Sequence, residues 1–338
     1  MTSARIAEGV RPLRDRAQQL LTGGGSVFVA LALLWVVLTL ASPYFLTTAN
    51  LLNLLLQSST IGILAAAFTI VLIAGEIDLS LTSVQALATT LAAVLIITHE
   101  LAMPLGIALV LGMGAAIGVI NGYMTLAAKL PSFIATLAML GIAQGLAFVL
   151  TEARTIGGFP EAYAWLGRGK LAGIPVPVYF AVAVYAVLWF VLSQTRFGIK
   201  VYAVGGGREA SRLAGLRPGR MVMSVFIISG VLCALAGVLL SSQLNAGQGN
   251  FGTTDLLNAI AAVIIGGTSL NGGMGSVIGT AAGVLTISTI NNGLVLLGVS
   301  TFWIQVVVGG IILAAVLTDK IVKGELRPRD LAPGAALR

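Results

Sequence analysis

Residues 195–220 read TRFGIKVYAVGGGREASRLAGLRPGR and stand between two apolar runs, 175–193 and 219–244. Each run is about the length an α-helix needs to cross roughly 30 Å of hydrocarbon. Between them lie six cations (Arg196, Lys200, Arg208, Arg212, Arg217 and Arg220) and one acid, Glu209. Lys and Arg are retained on the cytoplasmic side when helices insert, so a loop of this charge orients the spans on either side of it. Within it, residues 207–215 can form a short helix lying along the membrane surface, ended by Gly215 and Pro218. A short rigid element joined to two spans has the form of a lever for a cytoplasmic motor; a plain basic anchor is the alternative.

Working outward from this loop, ten apolar segments appear, near 26–45, 51–74, 79–98, 103–124, 131–151, 175–193, 219–244, 254–267, 275–297 and 301–318. The segment at 254–267 is too short to span alone and reads as a broken or re-entrant helix, which is tolerated only inside protein or beside a water-filled cavity. With the N-terminus inside, loops 75–78, 125–130, 194–218 and 268–274 and the tail after 318 all fall on the inner side. That side then holds all the Lys and Arg except Arg154, Arg168 and Lys170, so the span count and the charge bias support each other. The expected fold is therefore an all-α integral membrane protein of about ten transmembrane helices with both termini cytoplasmic. Residues 1–25 form a cytoplasmic N-terminal segment, 26–318 the transmembrane domain with its loop at 194–218, and 319–338 a cytoplasmic tail. No A-x-A site follows the first apolar run, so a cleaved leader is not expected. The longest outer loop, 152–174, is rich in turn formers and reads as a small external cap.

Composition agrees. The chain is 57% hydrophobic and 9% charged, against about 25% charged in soluble domains, and its mean hydropathy is +1.01. The net charge of +7 is confined to loops, which argues for a membrane topology signal and against a nucleic-acid partner. Two helices carry glycine at every fourth residue, Gly114, Gly118 and Gly122, and Gly275, Gly279 and Gly283, a spacing that lets another backbone approach closely. A loose echo links VLIAGEIDLSLTSV at 71–84 with VIIGGTSLNGGMGSV at 263–277. Both pass from apolar to turn-rich to helical, and both turns fall on the inner side.

Chemistry-bearing groups are sparse. His99 is the lone histidine, so no metal cluster is expected. Cys233 sits in an apolar run as a small packing residue. Gly205, Gly206 and Gly207 lack the Lys of a phosphate-binding loop. No catalytic residue is expected, and no cofactor in this chain. Glu76, Asp78 and Asp255 are the acids near predicted span ends, and none falls at the centre of a strong span, which weakens an ion-coupled carrier and points to an energy source outside the chain.

Several motifs resemble those of the permeases of bacterial ABC importers for ribose and related simple sugars. Glu209-Ala210-Ser211-x-x-x-Gly215 is similar to the E-A-A-x-x-x-G pattern that such permeases present to their ATPase. Gly75-Glu-Ile-Asp78-Leu-Ser80 resembles a G-G-I-D-L-S turn, with Glu76 in place of the second Gly and Leu81-Thr82 where Val-Gly is more usual. Asn121-Gly122 with Pro131-Ser-Phe-Ile-Ala-Thr136, Ala259–Leu270 with Gly272-Gly-Met-Gly-Ser276, Asn292-Gly293 and Trp303-Ile-Gln305 follow in the family's order, from about Asn50 to Asp319. The resemblance implies a multi-pass bacterial inner-membrane permease, two copies or a copy and a paralogue forming a dimer. It also implies a periplasmic sugar-binding protein and a separate ATP-binding cassette subunit that binds ATP and Mg. It assigns Phe197, Gly198, Arg208, Glu209, Ala210, Ser211 and Gly215 to ATPase coupling. A sugar path should be polar and uncharged, and Asn53, Gln57, Gln85, Asn121, Asn291 and Gln305 are its candidates, with inter-helix hydrogen bonding as their other reading. The rival function is a self-sufficient ten-helix secondary transporter.

Overall fold

The computed structural model describes residues 25–252 and 254–322. The N-terminal segment and most of the tail expected to be cytoplasmic lie outside the described residues. In chain order the helices are α1 (Gly25–Ala41), α2 (Thr48–Ile73), α3 (Leu81–Ala93, running on through a π-helical turn, Val94–Thr98), α4 (Met103–Leu126), α5 (Ser132–Thr151), α6 (Glu161–Arg168), α7 (Val176–Gln194), α8 (Arg196–Gly206), α9 (Arg208–Leu213), α10 (Pro218–Leu244), α11 (Asp255–Ile265), α12 (Val277–Leu296) and α13 (Thr301–Val322). Among the described residues seven helices are long and apolar enough to cross a membrane: α2, α3 with its π-turn, α4, α5, α7, α10 and α12. Shorter apolar stretches occupy 27–41, 255–265 and 302–314. Each of the ten apolar segments thus carries a helix. The first ends earlier than its hydropathy suggests, at Ala41 and not at 45, because Pro43 lacks a backbone N–H and biases Ser42 away from helical geometry.

The most enclosed helix is α2, with 89% of its apolar window buried, against 22% in α7. Its neighbours include α10, which also packs along α3 and α4, so α2 and α10 form the centre and α7 the rim. The glycine seam of α4 is what brings α10 so close. A methyl group on Gly118 would sit 2.7 Å from the Ile227 Cα, and one on Gly114 would strike the Gly230 carbonyl. The second seam works likewise: Gly279 and Gly283 lie against Gly266 and Ala262 at the end of α11. By contrast, Gly141 and Gly145 of α5 face open space. Replacing either by Ala should raise the thermal midpoint, since glycine costs about 1 kcal/mol in a helix interior; Gly118→Ala, measured alongside, should lower it.

One end of the bundle carries the cap at 152–175. There β1 (Ile156–Gly157) pairs with β4 (Ala246–Gly247), and β2 (Lys170–Leu171) with β3 (Ile174–Pro175). Helix α6 is fastened to the end of α10: the Tyr163 hydroxyl lies 2.7 Å from Ser241 Oγ, and the Ser242 hydroxyl donates to the Tyr163 carbonyl at 2.5 Å. The other end gathers the turn at 74–80, the end of α8, and the turn at 266–276. The two echoing turns meet there, with the Gly273 N–H donating to the Ile73 carbonyl at 2.9 Å. Below them, in the bundle, the hydroxyls of Thr69 and Thr280 lie 2.7 Å apart.

Candidate coupling surface and solute path

The basic loop folds as two short helices. Thr195 caps α8 through its hydroxyl, which accepts from the Gly198 N–H at 3.4 Å. Gly198 is buried where any side chain would strike the Leu192 carbonyl, and Phe197 packs on the cluster of Val201, Val204 and Phe226. The short helix expected within 207–215 is α9. Its end is a Schellman closure: the Leu216 N–H donates to the Ser211 carbonyl and the Gly215 N–H to the Arg212 carbonyl, both at 3.0 Å. Gly215 has φ +81°, which only glycine adopts cheaply, and Pro218 then opens α10. Glu209, Ala210, Arg212, Leu213 and Gly215 are exposed and Ser211 is buried. Glu209 pairs with Arg212 at 2.6 Å. Leu213, 80% exposed, is an apolar side chain at the tip of a basic element.

Behind α9 lies the turn 74–80. Gly75 has φ +77°, while Glu76 does not occupy left-handed space. A side chain is therefore admissible at the second position of the G-E-I-D-L-S turn but not at the first. A non-helical turn inside a bundle must find partners for its backbone N–H groups. The Ile77 N–H donates to Ser132 Oγ at 3.1 Å and the Leu79 N–H to Thr136 Oγ1 at 3.0 Å, both acceptors on α5. Asp78 Oδ1 accepts from the Ser80 N–H at 2.9 Å and the Ser80 hydroxyl at 2.6 Å, and its Oδ2 accepts from the Ser229 hydroxyl of α10 at 3.1 Å. Asn121 of α4 donates to Ser80 Oγ at 3.0 Å. Asp78 lies close to a span end in sequence, yet its carboxylate is enclosed between α3, α4 and α10. Asp78 thus sits beside the start of α3, where the sequence places it, but buried and held by hydrogen bonds. Glu76 pairs with Arg208.

A cavity of 370 Å³ opens between α2, α11, α12 and α13, lined by five carboxamides: Gln57, Asn258, Asn291, Asn292 and Gln305. Among the described residues no charged side chain lines it. Asn291 donates to Asn258 Oδ1 at 3.3 Å, and its own Oδ1 is buried without a partner. Carboxamides offer both donors and acceptors without a charge, which suits a neutral hydroxylated solute.

A family model described as the branched-chain amino acid transport system / permease component matches residues 50–316. The chain belongs to this permease family. It is 41% identical over 297 residues to the ribose import permease protein RbsC of Bacillus subtilis, covering 87% of this chain and 91% of that protein. It is 36% identical to the L-arabinose ABC transporter permease protein AraH of Azospirillum brasilense, covering 96% of each. It is 37% identical to the D-allose transport system permease protein AlsC of Escherichia coli, covering 88% and 91%. No solved structure matches. The chain is accordingly a multi-pass inner-membrane permease of the ABC-importer type, and the self-sufficient carrier is set aside.

Within this permease the sequence-derived path candidates divide. Gln57, Asn291 and Gln305 meet at the carboxamide cavity. Asn53, one turn from Gln57, instead lines a separate 150 Å³ pocket with Arg168 and Lys170. Asn121 is taken up by Ser80, and Gln85 is fully buried with both amide atoms unpartnered among the described residues, its oxygen against Gly252. Asn258 was missed, although its place on the short α11 was a signal, since interrupted helices line transporter sites. Asn292 stood out only as part of the Asn292-Gly293 motif. It exchanges hydrogen bonds with Asn50 at 2.8 and 3.0 Å, while Gly293 leaves room for Leu38 of α1. Among the described residues no group of His, Cys, Asp and Glu could hold a metal.

Proposed function

We propose that this permease moves a monosaccharide, or a neutral solute of similar size and hydroxyl content, inward through the carboxamide cavity. A binding protein delivers the solute to the 152–175 cap, and a separate ATP-binding cassette subunit, which binds ATP and Mg, grips the surface around Glu209, Ala210, Leu213 and Gly215. In this reading the chain crosses the membrane about ten times with both termini inside and works as a dimer with itself or a paralogue. The observation that carries the reading is the cavity. Its size lies within the range of small-molecule pockets, about 300–1,000 Å³, and its polar lining is five carboxamides and the Thr254 hydroxyl. The ribose, arabinose and allose in the names of its relatives are neutral polyols of that kind. Alternating access requires that closure of the motor shift the balance between outward- and inward-open states, which it can do only by favouring one of them.

The test is uptake of labelled pentoses and hexoses into proteoliposomes holding the permease, its ATPase and its binding protein. Asn258→Leu and Asn291→Leu should each reduce uptake about tenfold, the effect of about 1.4 kcal/mol lost from one polar contact, while assembly with the ATPase is retained. Wild-type uptake in both variants would remove the cavity from the path. Accumulation against a gradient without the ATPase would end the reading altogether.

A further inference from the structure

Arg208 is the first residue of α9, the helix assigned to the motor, yet its guanidinium turns back toward the bundle. There it meets Glu76, whose side chain is 5% exposed against 48% for Arg208. Among the described residues Arg208 is the one ion-pair partner of Glu76. Removing Arg208 leaves the buried Glu76 carboxylate uncompensated.

The backbone around this pair is in direct contact. Gly205, three residues before Arg208, lies against Ile73 and Gly75, and Gly272 and Gly273 close on Gly75 and Gly206. The turn that Glu76 occupies leads straight into α2 and α3, and its next acid, Asp78, is bound to α10. Displacement of α9 therefore has a short route into the bundle. It passes by charge attraction at Glu76 and by backbone contact at the glycines. The glycine contacts can push but not pull, whereas an ion pair resists separation.

We infer that Glu76 and Arg208 form the tether by which an outward or sideways movement of α9 draws the 74–80 turn, and with it α2 and α3, after it. Both are positioning residues, and neither need touch solute or nucleotide. The inference rests on the coupling role proposed for α9. It reassigns Arg208, which sequence resemblance alone directs at the ATPase.

The test uses the complete reconstituted complex and measures solute moved per ATP hydrolysed, ATPase retained on purification, and the thermal midpoint. Glu76→Gln and Arg208→Gln should each lower the transport-to-hydrolysis ratio about tenfold with the ATPase still bound. Arg208→Lys and the exchange Glu76→Arg with Arg208→Glu should restore most of it. The tether is overturned if either single variant keeps the wild-type ratio, including the case where only abundance or thermal midpoint falls. It is also overturned if Arg208→Gln sheds the ATPase while Glu76→Gln behaves as wild type, or if the exchange is no better than the single changes. A wild-type complex that shows no ATP-driven uptake fails earlier, at the coupling role itself, and removes the tether with it.

Discussion

Gly205→Ala is expected to prevent stable assembly of the permease, while Gly206→Ala, one residue on, leaves it near wild type. A methyl group on Gly205 would strike the Ile73 carbonyl and lie 2.6 Å from the Gly273 nitrogen and 2.9 Å from the Ile73 carbonyl carbon. All three are backbone atoms, so no rotamer change relieves the overlap. They also belong to one hydrogen bond, Gly273 N–H to Ile73 O at 2.9 Å, which the intruding carbon would prise apart. Overpacking costs about 1–3 kcal/mol and an orphaned buried polar pair about 1–3 more. Together these, about 2–6 kcal/mol, reach the lower end of the stability of a typical domain, about 5–15 kcal/mol. On Gly206 the same methyl group meets nothing within 4 Å, and Gly206 does not have left-handed φ. Thermal unfolding of the two purified variants in one detergent, with the folded yield of each, makes the comparison. Equal midpoints would mean that the 74–80 turn, the end of α8 and the 266–276 turn do not touch as described.

Asp78→Ala should cost about 3–5 kcal/mol, because removing the carboxylate strands three buried donors at about 1–3 kcal/mol each, partly relieved by relaxation. The carboxylate accepts from the Ser80 N–H, the Ser80 hydroxyl and the Ser229 hydroxyl. Ser80 and Ser229 are themselves 1% and 0% exposed, so no solvent replaces the lost acceptor. Asp78→Asn is the discriminating companion. Its amide oxygen keeps the two Ser80 bonds, and its amide nitrogen can donate to the Ser229 oxygen once that hydroxyl rotates. It should therefore lose only about 1–2 kcal/mol. Ser229→Ala should lose about 1 kcal/mol, the value of a single net hydrogen bond. Thermal midpoints in the order wild type, Ser229→Ala, Asp78→Asn, Asp78→Ala support a carboxylate that knits α3, α4 and α10 together. An Asp78→Ala protein as stable as Asp78→Asn would show that the hydrogen bonds to Ser80 and Ser229 are unimportant there.

Both predictions concern the end of the bundle opposite the 152–175 cap, where the family-like motifs turn out to be parts of one assembly. The Asn121, Ser132 and Thr136 side chains are the hydrogen-bond partners that the 74–80 turn needs in place of helical ones. Gly272 and Gly273 are the clearance that lets the second turn press on the first. Resemblance places these segments in the right order but does not say that they touch. The exposed face of α9 was readable in detail, since helix capping is local: Gly215 and Pro218 lie within a few residues of the helix they end. The direction of Arg208 was not readable, because its partner lies on a different turn of the chain, beside Gly75.

By itself the sequence determined the helices and the basic loop. Burial of apolar length and the start and stop signals of a helix act over neighbouring residues, so the ten apolar segments coincide with helices to within a few residues, the largest differences being the early end of α1 at Pro43 and the extension of α13 to Val322. Tertiary structure decided which polar side chains share a space. Asp78 finds Ser229 at a separation of 151 residues and Asn121 finds Ser80 at 41, and Gln57, Asn258, Asn291 and Gln305 come from four different helices. Hydropathy along the chain carries no term for such encounters. They depend on the rotation and crossing of packed helices, which glycine clearance sets at Gly118 and Gly205 and which no local pattern records. The same packing distinguishes Gly205 from Gly206, two adjacent glycines that the sequence alone cannot tell apart.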